Sequence, residues 1–295
     1  MKKFLLILLF SLFSPHTFAA ETFVIAITDP LSKQLACDCV AGFAQRDYRA
    51  LVDHLRIADP DRFGGIELVF AGSLQAAIEK SSEKRVDMII GKDSVVRAEL
   101  QQAKMPAWGI ARLTNKDGEV TFTGLVVVAA DDPAQSVADL KNHKLVLGPP
   151  DCDEKHAAAI KLFTRHGVTV PEKPEIAKNC TEAGYAILEN ESDQPVAAVV
   201  SDYALALIEG CQTIEKGALR VIDKSEPVPF IGVFVIGNVD STETMGVLSN
   251  ALSTLNPKQL EALESKKGFV PYRTEPGKSP REWVPVKQAG GDSKN

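Results

Sequence analysis

Residues 124–148, GLVVVAADDPAQSVADLKNHKLVLG, contain two short apolar runs separated by a polar segment. The runs at 125–130 and 145–147 are rich in valine and leucine and are bounded by turn residues, so we expect each to be a buried strand. The segment at 136–140 between them is typical of a helical turn. Buried strands joined through a helical element indicate an α/β fold, in which helices cover a sheet.

The same alternation of apolar runs and amphipathic segments continues on both sides of this stretch. One series precedes about residue 123 and a second follows about residue 131, so we expect two α/β lobes, each a mainly parallel sheet flanked by helices. The runs at 125–130 and 228–236 bracket the second series, and we expect both to be crossover strands. The expected boundaries are residues 20–125 with 235–277 for lobe 1, 126–234 for lobe 2, and 278–295 for a flexible polar tail.

The N-terminus has the pattern of a secretory signal peptide. Lys2 and Lys3 precede an apolar run at 4–13 that is too short to span ~30 Å of hydrocarbon, and Ala19 offers a small residue for cleavage. We therefore expect residues 1–19 to be removed and the protein to be periplasmic. No later stretch is apolar for ~18 residues, so we do not expect a membrane-embedded protein.

Composition and charge restrict the classes of partner. The chain has 295 residues, with 33 lysines and arginines against 39 acidic residues, a formal net charge of -6. A protein that coats nucleic acid needs a basic face, so this balance argues against nucleic acid as the partner. A small anion needs only a local site and stays compatible with the overall charge.

A family resemblance is carried by residues 86–91, 124–128, 136–141 and 144–148. In the order of these strands and the short helix, the chain resembles the phosphate, phosphite and phosphonate-binding family of periplasmic solute-binding proteins, which have a two-lobed type II fold. The resemblance implies a protein that closes on a small ligand between its lobes by hinge motion. It also implies an ABC transporter permease as the partner.

One loop departs from the pattern of that family. Members usually have a hydroxyl-rich loop here, which opens a helix whose N-terminal amides hold the anion. This chain has PDCDEKH at residues 150–156 instead. Three carboxylates beside an oxyanion would repel it unless they were protonated or bound to a metal. The resemblance therefore predicts the fold, while this loop argues for an altered ligand.

Candidate ligand-binding residues lie where strands are expected to end. Ligands of open α/β sheets bind outside the carboxyl ends of the strands. A lysine at such a position, Lys92, can meet an anion or pair with an acid in the cleft. The full candidate set is Ser73, Lys92, Asp93, Ser94, Thr123, Asp151, Cys152, Asp153, Ser201 and Tyr203. For Ser73 and Asp93, a role as helix caps alone is an equal alternative.

The cysteines suggest a second function on the same fold. Cys37 and Cys39 follow the first strand, and Cys152 and His156 are four residues apart, which places them on one face if this stretch is helical. Thiolate and imidazole ligands fit copper or zinc, so these four residues are a candidate site of a metal-binding or redox accessory protein. A disulfide from Cys37 or Cys39 to Cys152, or buried thiols, are alternatives that stay open.

The remaining cysteines and the search for catalytic motifs add further expectations. Cys180 and Cys211 both fall in the second lobe, and an oxidising compartment favours a structural disulfide between them. The chain has no Gly-x-Ser-x-Gly elbow, no His-Glu-x-x-His and no phosphate-binding Walker loop. We therefore expect no catalytic residues and no enzyme activity. A sensor subunit that signals occupancy is a third hypothesis.

Overall fold

The structure, a computed structural model, describes residues 22–36, 45–237 and 242–272. The predicted signal peptide at 1–19 and the predicted tail at 278–295 lie outside these residues, and so do Cys37 and Cys39. None of the helices in the described part of the chain has the length and apolar character of a membrane span.

The described strands form two main sheets and one short ladder. In chain order they are β1 (Phe23–Thr28), β2 (Ile66–Phe70), β3 (Met88–Lys92), β4 (Ala107–Leu113), β5 (Thr121–Phe122), β6 (Gly124–Ala129), β7 (Lys144–Leu147), β8 (Glu175–Ile176), β9 (Val196–Ser201), β10 (Leu219–Lys224), β11 (Val228–Pro229), β12 (Ile231–Ile236) and β13 (Phe269–Pro271). The first sheet has the order β2-β1-β3-β12-β4-β13, and the second has the order β10-β6-β9-β7-β8. Strands β5 and β11 pair with each other.

Helices pack on both sheets. In chain order they are α1 (Ala50–Ala58), α2 (Pro60–Phe63), α3 (Leu74–Lys80), α4 (Asp93–Gln102), α5 (Ala157–Arg165), α6 (Cys180–Leu188), α7 (Asp202–Gly210), α8 (Thr242–Ser253) and α9 (Pro257–Ala262), with a 3₁₀ helix at Val137–Asn142. Helices α3, α4 and α8 contact strands of the first sheet, and α5, α6 and α7 contact strands of the second. The expected α/β fold, with a helix-flanked sheet in each of two lobes, is confirmed.

The sheets are mixed in strand direction. Strands β1, β2 and β3 run parallel, as do β7, β8 and β9, because each of these pairs is joined through helical segments. The neighbouring strands β12 and β6 pair antiparallel to β3 and β9, respectively. Parallel order is therefore limited to the strands that carry the strand–helix alternation.

The expected crossover strands lie inside the sheets. Residues 124–129 form β6 of the second sheet, and residues 231–236 form β12 of the first. The chain passes between the sheets next to the β5–β11 ladder, in which Phe122 pairs with Val228. The predicted lobe 2 range of 126–234 therefore includes residues that belong to the first sheet.

Strand β4 is absent from the predicted elements. It lies between β12 and β13, and its buried residues alternate with half-buried ones. Residues 107–111, AWGIA, are apolar without a break, but alanine and glycine, which are poor strand formers, supply three of these five residues. This short run is the signal that could have located the strand.

Each sheet is buried on both faces. Along β1, Ile25 packs into one apolar cluster, whereas Val24 packs into another on the opposite face. Along β6, Val126 and Val127 divide between two clusters in the same way. Burial on both faces explains why these strands appear in the sequence as continuous apolar runs.

Candidate ligand site between the two sheets

The carboxyl ends of strands from the two sheets meet at Glu154. Lys92 is the last residue of β3, Ser201 is the last residue of β9, and Glu154 lies in the loop that follows β7. Lys92 Nζ donates to Glu154 Oε1 at 2.7 Å, and Ser201 Oγ donates to the same oxygen at 2.7 Å. Glu154 is fully buried, and the side chain of Lys92 is 7% exposed. A desolvated ion pair therefore joins the first sheet to the second.

Burial and charge act in opposite directions on this pair. Burial by itself lowers the pKa of Lys92, but the carboxylate of Glu154 raises it, and so does the neighbouring Cys152. The balance raises the pKa of Lys92 above the ordinary lysine value, so the ammonium group is charged at neutral pH. Glu154 Oε2 is buried and has no hydrogen-bond partner among the described residues.

A second ionic link between the sheets runs through Arg97 on α4. Its guanidinium donates to Asp93 Oδ1 at 2.8 Å and to Asp153 Oδ2 at 3.2 Å. The other carboxylate oxygen of Asp93 lies 3.7 Å from Arg112 Nε of β4. Ser94 Oγ accepts from the backbone N–H of Asp153 at 3.4 Å. The start of α4 is therefore tied to the loop after β7 by charge and by hydrogen bonds.

The first lobe contributes a buried polar cluster after β1. Asp29 is fully buried, and its Oδ2 accepts from Arg46 Nη1 at 2.9 Å and from Tyr48 Oη at 2.5 Å. Its Oδ1 accepts from the backbone N–H of Leu31 at 2.9 Å. Burial raises the pKa of Tyr48 well above its ordinary value, and Asp29 raises it further, so the phenol stays neutral and acts as a donor.

Three aromatic rings link the connecting strands to the second lobe. Phe230 lies 4.5 Å from Phe122 and 5.2 Å from Tyr203 between ring centroids. Arg46 lies over the ring of Phe230 at 5.2 Å, and Lys92 Nζ lies 5.3 Å from the ring centroid of Phe122. These cation–π contacts connect the aromatic cluster to both polar clusters.

A cavity of about 210 Å³ lies beside this aromatic cluster. Its wall combines residues from the loops after β1 and β4, from β5 and from α7, so it lies between the two lobes. The lining residues are Leu31, Arg46, Asn115, Lys116, Asp117, Thr121, Phe122, Asp202, Tyr203, Leu207, Phe230 and Glu264. The wall offers an apolar aromatic surface together with side chains of both charges.

Most of the predicted ligand-binding residues lie in or next to this region. Lys92, Ser94 and Asp153 take part in the contacts between the sheets, and Tyr203 lines the cavity. Their spatial grouping follows from their positions at strand ends, but ligand binding by any of them stays a prediction. Cys152, Asp93 and Ser201 also belong to the contact region.

Four candidates are described by their own contacts: Ser73, Asp93, Thr123 and Asp151. Ser73 caps α3 by accepting from the backbone N–H of Ala76 at 3.2 Å, as the cap alternative predicts. Asp93 is the first residue of α4 and not its cap, because its carboxylate pairs with arginines. Thr123 donates its N–H and hydroxyl to Asp202 Oδ2. Asp151 Oδ1 is buried and has no hydrogen-bond partner among the described residues.

Several residues of the region are absent from the predicted set. Glu154 is one of the three loop carboxylates, but nothing in the sequence shows that it points inward to a lysine of the other lobe. Arg46, Phe122 and Phe230 are not at the ends of predicted strands, so the strand-end rule misses them. Asp202, which follows Ser201 directly, lies at the same strand end and lines the cavity.

The predicted metal site is not supported in the described residues. Helix α5 begins at Ala157, so Cys152 and His156 lie in the loop before it, whereas the predicted site needs both residues on one face of a helix. His156 Nδ1 is 2.8 Å from the carbonyl oxygen of Gly148. Within residues 22–36, 45–237 and 242–272, no three His, Cys, Asp or Glu side chains are grouped to hold copper or zinc. A role of Cys37 and Cys39 is not tested, because both lie outside these ranges.

The environment of Cys152 disfavours a thiolate. Burial raises the pKa of the Cys152 thiol, and this effect exceeds the opposing influence of Lys92 and Lys155. A metal ligand or nucleophile needs the thiolate form, which a lowered pKa provides. Cys152 therefore has the character of a buried, protonated thiol.

The predicted Cys180–Cys211 disulfide is not formed. Cys180 is a free thiol whose Sγ accepts from the backbone N–H of Ser201 at 3.4 Å. Cys211 Sγ lies 3.0 Å from Thr213 Oγ1. The prediction rests on location in one lobe and on an oxidising compartment, and neither brings the two sulfur atoms together.

Comparison with solved structures relates this fold to periplasmic binding proteins. XAC2383 from Xanthomonas citri, solved bound to ATP, shares 15% identity at a TM-score of 0.61, over 86% of this chain and 92% of that one. PhnD1 from Prochlorococcus marinus, solved in complex with methylphosphonate, shares 12% identity at a TM-score of 0.59, over 85% and 92%. A binding protein component of an ABC phosphonate transporter from Pseudomonas aeruginosa, PA3383, shares 16% identity at a TM-score of 0.58, over 85% and 81%. At these identities the similarity shows the fold alone.

Sequence comparison supplies the family. A search of curated proteins finds no match. The sequence model of a family described as the phosphonate, periplasmic substrate-binding protein of an ABC transporter matches residues 43–275. The match spans most of the chain, including the whole second sheet and every strand of the first sheet except β1. This protein therefore belongs to the family of periplasmic substrate-binding proteins of phosphonate ABC transporters.

Proposed function

We propose that this chain binds a small polar organic molecule in the cavity between its lobes and delivers it to the permease of an ABC transporter. The observation that carries the proposal is the cavity of about 210 Å³ where the loops after β1 and β4, the connecting strands and α7 meet. Sites of α/β proteins lie outside the carboxyl ends of the strands, which is where this cavity is found. The transport role rests on membership of the family.

The wall of the cavity favours a ligand with an apolar part and balanced charge. Phe122, Tyr203 and Phe230 offer ring surface, and Arg46 and Asp202 offer opposite charges. Drug-sized ligands occupy pockets of roughly 300–1,000 Å³, so this smaller cavity suits a small molecule. Arg46 already pairs with Asp29, and Lys116 with Glu264. A zwitterionic or neutral molecule therefore fits this wall better than a dianion.

The connecting strands are suited to act as the hinge. The β5–β11 ladder pairs Thr121 with Pro229 and Phe122 with Val228, directly before the chain enters each sheet. Thr123 next to this ladder donates to Asp202 of α7, which lines the cavity. A change in angle at the ladder would thus move the α7 side of the cavity relative to the first lobe.

Binding without catalysis and periplasmic residence complete the proposal. The raised pKa of Cys152 makes it a poor nucleophile. The family is one of transport components, and the N-terminal pattern of residues 1–19 is that of a cleavable signal peptide. We expect the mature chain to begin near Ala20 in the periplasm and to release its ligand unchanged.

Calorimetry and thermal shift on the mature chain test the proposal. The panel contains zwitterionic amino acids, neutral polyols, phosphate, phosphite and methylphosphonate. We expect saturable binding of at least one zwitterionic or neutral compound, which Tyr203→Ala removes because it takes one ring from the wall. Tyr185→Ala is the matched control, since Tyr185 is 37% exposed and lies outside the cavity. Silence across the panel, or equal binding by Tyr203→Ala, contradicts the proposal.

A further inference from the structure

Glu154 has the surroundings that an oxyanion ligand would need. Its Oε1 accepts from the ammonium of Lys92 and from the hydroxyl of Ser201, both at 2.7 Å. The two donors come from the carboxyl ends of strands in different sheets, and the carboxylate between them is fully buried. An ammonium and a hydroxyl that converge on one buried oxygen make an anion position. In this chain the anion is a side chain of the protein.

The backbone holds this carboxylate in place. A Cβ atom at Gly124 of β6 would lie 2.1 Å from the carbonyl oxygen of Glu154, so the loop runs in direct contact with the strand. The N–H of Gly148 donates to the carbonyl of Lys155 at 3.1 Å and closes the loop. Glu154 therefore reaches Lys92 from a fixed position.

The two arginines of the contact region already have carboxylate partners. Arg97 pairs with Asp93 and Asp153, and Arg112 pairs with Asp93. Lys155 is buried, and its Nζ lies 3.8 Å from Cys180 Sγ. An incoming dianion would have to displace Glu154 from Lys92. The carboxylates of the same loop, at Asp151 and Asp153, would stay nearby, and repulsion between like charges disfavours binding.

We propose that Glu154 occupies the anion position of the cleft and makes the wild-type chain discriminate against phosphate and phosphonate dianions. The inference rests on the proposed function, because it assumes that ligands enter between the lobes. Rejection of unwanted ligands by a repulsive group built into the site is a common source of specificity. The ligand in the neighbouring cavity is then recognised by Arg46, Asp202 and the aromatic rings, without the Lys92 ammonium.

Calorimetric titration of the mature chain with methylphosphonate and with inorganic phosphate tests the inference. Wild type is expected to bind both weakly, and Glu154→Ala to bind at least about tenfold more tightly, because Lys92 and Ser201 become available. Glu154→Gln keeps a side chain of the same shape without the charge, and it serves if Glu154→Ala does not fold. Glu226→Ala, which removes a half-exposed carboxylate paired with Arg165, is the matched control and should change nothing.

The gain must depend on Lys92. In Lys92→Met/Glu154→Ala the improved affinity for methylphosphonate should be lost. Tight phosphonate binding by wild type, or a folded Glu154 variant without a gain, overturns the inference. If wild type binds a panel compound in a Tyr203-dependent manner while the Glu154 variants show no gain, only this inference fails. If neither wild type nor the variants bind any compound, both this inference and the proposed function fail.

Discussion

Lys92 Nζ and Glu154 Oε1 lie 2.7 Å apart, although the two residues are 62 positions apart in the chain and belong to different lobes. Both side chains are withdrawn from water, so each charge depends on the other to compensate for its lost hydration. The contact is thus a structural link between the lobes as well as part of the candidate site. The contribution of this ion pair to the free energy of unfolding can be measured.

A double-mutant cycle measures the coupling of this pair. Lys92→Met leaves the Glu154 carboxylate buried without its cation, which should lower the free energy of unfolding by about 3–5 kcal/mol. Lys92→Met/Glu154→Gln removes both charges, so the double variant should lose less stability than the sum of the single variants. Urea unfolding followed by circular dichroism gives the values. Additive losses would show that the two charges do not depend on each other.

A second buried ion pair, between Asp29 and Arg46 of the first lobe, predicts a further loss of stability. Asp29→Asn leaves Arg46 buried without its carboxylate, at a cost of about 3–5 kcal/mol. Asp53→Asn is the matched control, since Asp53 pairs with Arg56 at the surface with 89% of its side chain exposed. Such exposed pairs contribute little, so the control should unfold like wild type. Equal effects of the two substitutions in thermal unfolding would contradict this account.

Glycine substitution tests how closely the loop after β7 approaches β6. Gly124→Ala places a Cβ atom 2.1 Å from the carbonyl oxygen of Glu154, so the loop or the strand must move. Overpacking of this kind costs about 1–3 kcal/mol. Gly72→Ala is the control, because nothing lies within 4 Å of its Cβ position. A Gly124→Ala variant as stable as the control, measured by urea unfolding, would show that the loop yields freely.

The sequence predicts the fold class better than it predicts the individual strands and their places in the sheets. Continuous apolar runs identify the strands that are buried on both faces, such as β1 and β6. The prediction omits β4, and it gives no order of the strands within a sheet, such as the place of β12 between β3 and β4. Periodicity describes how a segment is buried, but the neighbours of a strand are a property of the whole sheet.

In the candidate site, too, the sequence predicts local features better than contacts between distant residues. Lys92 was expected to meet an anion or an acid of the cleft, and the structure has the acid, Glu154. That pairing depends on two loops from different lobes, so no local pattern contains it. The disulfide between Cys180 and Cys211 and the helical face for Cys152 fail for the opposite reason, because they were inferred from position in the chain without knowledge of where the side chains point.

Cys152 offers a chemical probe of the interface between the lobes. Burial raises its pKa, so alkylation by iodoacetamide should be much slower in the native protein than in urea and should increase with pH above the ordinary thiol range. Lys92 opposes this shift, so Lys92→Met should slow the reaction further at a fixed pH. Mass spectrometry of the Cys152 peptide gives the rate, and the Cys180 peptide in the same digest reports any general opening. Native Cys152 that reacts as fast as the unfolded chain would show that the interface does not shield it.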